Sequence, residues 1–127
     1  MSTDQQTVEK RWAILQRLLD RTRAGKTHWE PLGDSDTRFM TAVGDYSITI
    51  ESEDVRSPSR GPFKVTVRDY PDRILDQFDQ YELDSVATES GELATNLLAD
   101  LYEAARRRAF NVDEAMSDLL NQLGDDD

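Results

Sequence analysis

The most constraining stretch of this chain is residues 39–50, where two alternating apolar runs flank a two-residue turn. Phe39, Thr41 and Val43 alternate with polar or small neighbours, and so do Tyr46, Ile48 and Ile50, with Gly44-Asp45 between them. A Gly-X pair between alternating runs is a hairpin signal, because glycine supplies the positive φ that a tight reversal needs. A two-residue loop at 44–45 pairs Val43 with Tyr46, Thr41 with Ile48 and Phe39 with Ile50. All six then fall on one sheet face, so turn chemistry and hydrophobic pattern select the same register. The opposite face carries Arg38, Ser47 and Thr49, together with the apolar Met40 and Ala42.

The neighbouring segments extend this sheet. Phe63, Val65 and Val67 alternate with Lys64, Thr66 and Arg68, which predicts a further strand. Between the two lies a stretch, 52–62, rich in Ser, Asp, Arg, Pro and Gly that reads as a mobile loop. Tyr70-Pro71-Asp72 turns the chain, Ile74–Phe78 forms a weaker strand interrupted by carboxylates, and 79–88 reads as a polar connection. Ahead of the hairpin, Lys26–Leu32 is a strand that Pro31 confines to an edge or an end, followed by a turn at 33–36.

Both ends of the chain have helical spacing. Over residues 4–23, Val8, Trp12, Leu15 and Leu19 share a face, with Thr3 and Gln6 as a capping box and Gly25 as the stop. From 92 to 109, Leu93, Leu97, Leu98, Leu101, Ala104 and Ala105 form a broad stripe. Asn111 then breaks the helix and caps a shorter one that carries Val112, Ala115, Met116, Leu119, Leu120 and Leu123 on one side and ends at Gly124. The large aromatics Trp12, Trp29, Tyr46, Tyr102 and Phe110 are expected in the core.

Consecutive strands with short links make an antiparallel meander. The expectation is therefore an α+β fold: a β-meander of three to five strands, with an N-terminal helix and two C-terminal helices packed on one face. At 127 residues the chain is one domain, residues 1–127, with disordered tails expected at 1–3 and 124–127. A chain of this size buries roughly two-thirds of its unfolded surface, enough for a real core.

Composition narrows the function. The chain has no cysteine, so disulfides and thiolate metal sites are excluded. The start MSTDQQ and the lack of a long apolar run imply neither a signal peptide nor a membrane span, and hence a cytoplasmic location. Net charge is −11, and residues 71–127 alone carry four Lys/Arg against fifteen Asp/Glu. Such a surface repels phosphate backbones and anionic lipids, so neither nucleic acid nor membrane is expected as a partner. The basic first helix, with Lys10, Arg11, Arg17, Arg21 and Arg23, is the one segment that runs against this. Arg outnumbers Lys 12 to 3. Acidity with few lysines is similar to that of proteins from salt-loving archaea; a GC-rich bacterial genome gives the same Arg bias.

No motif carries chemistry. Gly25-Lys26-Thr27 lacks the glycine five residues upstream that a phosphate loop requires, Asp20 standing there, and a helix precedes it instead of a strand. His28, the only histidine, has Glu30 two residues along on the same strand face. That pair offers acid–base or ligand groups but no nucleophile or second histidine. The many carboxylates have neither the glycine nor the spacing of a calcium loop, so no metal or other cofactor is expected. Arg108 points into the middle of an apolar helical stripe, where it either snorkels to helix-end carbonyls or faces an anion in a pocket.

The spacing of Leu18, Thr22, Gly25-Lys26, Trp29, Tyr46-x-Ile48-x-Ile50, Val65-x-Val67-x-Asp69, Leu101-Tyr102, Ala105-Arg106-Arg107, Val112-Asp113 and Leu119-Leu120 resembles that of a group of small uncharacterised prokaryotic proteins built as helix, meander and helical tail. The resemblance implies an architecture and no activity, cofactor or site.

The reading that follows leans away from an enzyme and toward a protein-interaction or self-associating module, with Met40 and Ala42 as a candidate contact surface. The alternative is a small-molecule binder or minor enzyme whose pocket lies between sheet and helices near His28, Glu30 or Arg108.

Overall fold

A computed structural model of the chain describes residues 5–54, 56–83 and 94–124. Helix α1 (Gln5–Arg23) leads into five strands: β1 (Glu30–Pro31), β2 (Arg38–Val43), β3 (Tyr46–Ser52), β4 (Phe63–Asp69) and β5 (Ile74–Asp79). One helical turn, α2 (Gln80–Leu83), follows β5, and α3 (Ala94–Ala109) and α4 (Val112–Leu123) complete the chain. The strands lie in chain order, each antiparallel to the next, so the α+β meander expected from the sequence is the observed fold.

The hairpin register is the one dictated by the turn: Val43 opposes Tyr46, Thr41 opposes Ile48 and Phe39 opposes Ile50. Gly44 takes φ 61°, and Asp45 does not join it in the left-handed region, as expected of a Gly-X reversal. The pattern also locates the interior. Phe39, Ile48, Ile50, Phe63, Val65 and Phe78 of the sheet share one cluster with Val8, Trp12, Leu15, Leu18 and Leu19 of α1 and Leu97, Leu98, Leu101, Tyr102 and Ala105 of α3. Trp29 and Leu83 belong to the same cluster.

Several polar groups that enter this interior find partners, whereas the buried Tyr102 hydroxyl meets none among the described residues. The Trp29 indole N–H donates to Thr22 Oγ1 at 2.9 Å, and Thr22 Oγ1 donates to the Leu18 carbonyl at 2.7 Å. The Trp12 indole donates to the Leu83 carbonyl at 3.2 Å. Arg11 of α1 is buried and grips Asp76 of β5 with two contacts, Nε to Oδ2 at 2.9 Å and Nη2 to Oδ1 at 2.7 Å. Its guanidinium lies 4.6 Å from the centroid of the Phe78 ring. The hydrogen bonds from Arg11 hold the Asp76 carboxyl below the usual carboxylate range, against the opposing effect of burial.

Several expectations are revised. The strand at 26–32 shrinks to Glu30–Pro31, because residues 24–26 are tied to the end of α1 and Pro31 has no N–H to extend the ladder. The loop at 52–62 contains a 3₁₀ turn, Pro58–Arg60. The connection at 79–88 begins with α2, in which Leu83 is fully buried and Gln80 Oε1 accepts the Phe63 backbone N–H at 3.2 Å. Asn111 breaks the helices as expected, but its side chain makes no cap. It sits at φ 52°, ψ 46°, the left-handed conformation that asparagine tolerates better than most residues. Tyr46 and Phe110 are 52% and 40% exposed, so neither is a core residue, although the edge of one ring meets the other where Phe110 touches Phe39 (centroids 5.4 Å apart). Thr3, Leu93 and the terminal aspartates lie outside the described residues.

Candidate functional site

The joint between α3 and α4 determines what the end of the molecule presents. The Phe110 and Asn111 N–H groups close α3 on the carbonyls of Arg106 and Arg108, the left-handed Asn111 redirects the chain, and the Ala115 N–H bonds to the Asn111 carbonyl to open α4. Arg107 pairs with Asp113 of the first turn of α4 across the joint. Helix α4 meets α3 at this joint and makes no comparable contact with any strand, so it leaves the sheet uncovered.

The consequence is an uncovered apolar stripe. None of the α4 side chains is buried, and Met116, Leu119, Leu120 and Leu123 are 55%, 50%, 69% and 66% exposed. At about 100° per residue, Val112, Ala115, Met116, Leu119, Leu120 and Leu123 occupy one arc of the helix. Within it Val112, Met116, Leu119 and Leu123 follow the 4-3-4 spacing of a two-helix seam. The polar arc holds Asp113, Glu114 and Asp118 and no Lys or Arg.

The residues singled out in the sequence are scattered. His28 and Glu30 are exposed and alternate with the buried Thr27 and Trp29, so both point away from the core. His28 shares an open groove with Gly25, Lys26, Arg108 and Asn111, while Glu30 stands opposite Met40 in the ladder. Met40 is half-buried and Ala42 exposed on the helix-free sheet face. Their ladder neighbours there are Thr49 and Ser47, with Thr66 and Arg68 one strand further, so the apolar strip is narrow.

Arg108 reaches another helix. Its Nε donates to the Thr22 carbonyl at 3.0 Å and its Nη2 to the Arg23 carbonyl at 3.2 Å, at the C-terminus of α1. Gly25, at φ 75°, gives the tight helix end that exposes those carbonyls, with Lys26 N–H bonded back to the Arg21 carbonyl at 2.9 Å. A cation at the negative end of a helix dipole is favourable, and this use leaves fewer of its donors for a ligand.

The groups whose protonation is displaced are explained by structure. Hydrogen bonds from Arg106 hold the Glu103 carboxyl low, and burial beside Phe39 and Phe63 raises the Tyr102 hydroxyl. Among the described residues no group of three or more His, Asp or Glu could hold a metal ion, and no helix is long and apolar enough to cross a membrane.

Periodicity alone assigns the α4 stripe to packing. Five strands at about 4.8 Å spacing span a face that two helices, each about 10 Å wide, already cover. A third apolar helix then has no place on that face. Compared with protein-family models, with curated proteins and with solved structures, the chain matches none, so the similarity of spacing noted above brings no family with it.

Proposed function

We propose that this domain is a non-enzymatic protein-interaction module whose contact element is α4. The observation that carries the reading is a helix with one apolar arc and no buried side chain, turned off the sheet at Asn111 and joined to α3 by the Arg107–Asp113 pair. Half-exposed leucines and a methionine in one arc form the kind of patch that a monomer rarely leaves open without use. Apolar anchors on a rigid helix are a common means of protein recognition. The Met40–Ala42 strip is a smaller, second contact surface on the sheet.

The test is a variant that changes the stripe and leaves the core intact. Leu119→Ser with Leu123→Ser should retain the thermal transition of the parent protein while losing the proteins that the parent captures from native lysate. Identical capture by parent and variant would refute α4 as the contact element. The small-molecule alternative draws support from Lys26, His28 and Arg108 lining one groove. It predicts that a screen of anionic metabolites gives a thermal shift that disappears in His28→Ala.

A further inference from the structure

We infer that the occupant of the α4 stripe is an amphipathic helix of a protein partner, apolar along its seam and rimmed with Lys or Arg. The inference rests on the reading of α4 as the contact element and adds the chemistry of what it binds. Three kinds of surface could cover an exposed apolar arc: a lipid interface, a second copy of this chain, or another protein.

Charge separates them. Interfacial helices carry cations on the polar arc to meet anionic headgroups. The polar arc of α4 has Asp113, Glu114 and Asp118 and no cation, so a lipid surface is disfavoured. A second copy offers a matching seam but brings the same carboxylates and a further −11 of net charge. Like charges near a seam oppose pairing, while opposite charges at the flanking positions select the partner. Asp113 borders the arc beside Leu120, and Asp118 lies beyond Gln122 on the other flank. The arc thus has an acidic residue on each side. Asp113 is paired with Arg107 and Asp118 accepts a hydrogen bond from Gln122, while Glu114 lies on the opposite side of the helix, so the attraction for a cationic rim comes from Asp113, Asp118 and the net negative charge of the chain. Long-range attraction toward the negative C-terminal half adds to the on-rate for a basic helix.

The probes are two synthetic helices of about 18 residues with the same leucine seam, one with Lys and one with Glu at the flanking positions, titrated into the full chain. The Lys-rimmed helix should bind at least tenfold tighter than the Glu-rimmed one. Its affinity should fall several-fold between 50 and 500 mM NaCl, roughly as screening shortens the Debye length from over 10 Å to about 4 Å. Leu119→Gln with Leu123→Gln, which leaves the net charge unchanged, should weaken it at least tenfold.

Each other result is decisive. Equal binding of the two helices would overturn the basic-partner inference and leave the interaction reading standing. Undiminished binding of the Lys-rimmed helix to the Gln variant would mean general attraction to an acidic surface, which also overturns it. A salt-promoted dimer in sedimentation, abolished by the same substitutions, would make a second copy the occupant. If neither helix binds and the chain stays monomeric at all salt concentrations, the inference and the α4 reading fall together.

Discussion

Arg11 and Asp76 join α1 to the edge strand β5, and the two halves of the pair should respond unequally to mutation. The Arg11 side chain is 9% exposed and the Asp76 side chain 35%. Asp76→Ala strands a buried guanidinium whose remaining acidic neighbour, Glu82, is 3.6 Å from Nη1. Breaking a fully buried pair from one side costs about 3–5 kcal/mol. Water reaches this pair through the exposed third of Asp76, which brings the expected cost down to about 2 kcal/mol. Arg11→Met keeps an aliphatic stem over the Phe78 ring and leaves Asp76 free to hydrate, so about 1 kcal/mol is expected. The double variant should then lose about 1.5 kcal/mol, well short of the sum. Urea unfolding followed by the fluorescence of the buried Trp12 and Trp29 measures all three.

The acid limb gives an independent check. Asp76 binds its proton more weakly in the folded state, so its stabilisation is present above the unfolded value of about 3.9 and fades as pH falls through the lower folded value. The Asp76→Ala variant should therefore lose less stability between pH 5 and pH 3 than the parent does. Equal, additive losses from the two single substitutions, or an unchanged acid limb, would refute this account of the pair.

Arg108→Met removes the two guanidinium contacts on the end of α1 and should cost about 1 kcal/mol, near 4 °C in Tm; an unchanged Tm would mean that water serves those carbonyls equally well. Thr22→Val leaves the fully buried Trp29 indole N–H without its acceptor and should cost about 2 kcal/mol, with Thr22→Ser recovering most of it in the same urea assay. Leu101→Ala should cost about 2–5 kcal/mol, whereas Leu119→Ser should fall within about 0.5 kcal/mol of the parent. Comparable losses at both positions would show that α4 is packed in solution.

The sheet was legible because strand pairing here is a local matter. A two-residue turn and a period of two leave a single register that buries Phe39, Ile48 and Ile50 together, and β2–β3 obeys it. The stripes of α1 and α3 were legible for the same reason at a period of 3.6. The Arg11–Asp76 pair was not, because its members are 65 residues apart and nothing in either neighbourhood points to the other. Helix-end carbonyls are one of the two readings the sequence leaves open for Arg108, and the carbonyls it meets belong to α1, 85 residues away, which only the packing of α3 against α1 determines. Of the candidate site residues, the chain fold brings His28 and Arg108 to one groove and sends Glu30 to the ladder beside Met40.

The stripes of α3 and α4 differ in outcome and hardly at all in sequence. Leu97, Leu98 and Leu101 are fully buried, and Leu119, Leu120 and Leu123 are half or more exposed, on helices two residues apart in the chain. Periodicity reports that a face is apolar; it does not report what covers it. The covering is decided by the left-handed Asn111, which turns α4 off the sheet, and by a sheet face that α1 and α3 already fill. An uncovered stripe of this kind invites indiscriminate association, and charge is the general means of opposing it. If α4 is the contact element proposed above, the excess negative charge of residues 71–127 would oppose the pairing of two copies while leaving the stripe open to a partner of the opposite sign. On that argument, neutralising Glu114 and Asp118 together should raise self-association without changing Tm, and sedimentation of Glu114→Gln with Asp118→Asn against the parent tests it: an unchanged monomer would show that these two carboxylates have no part in keeping α4 free.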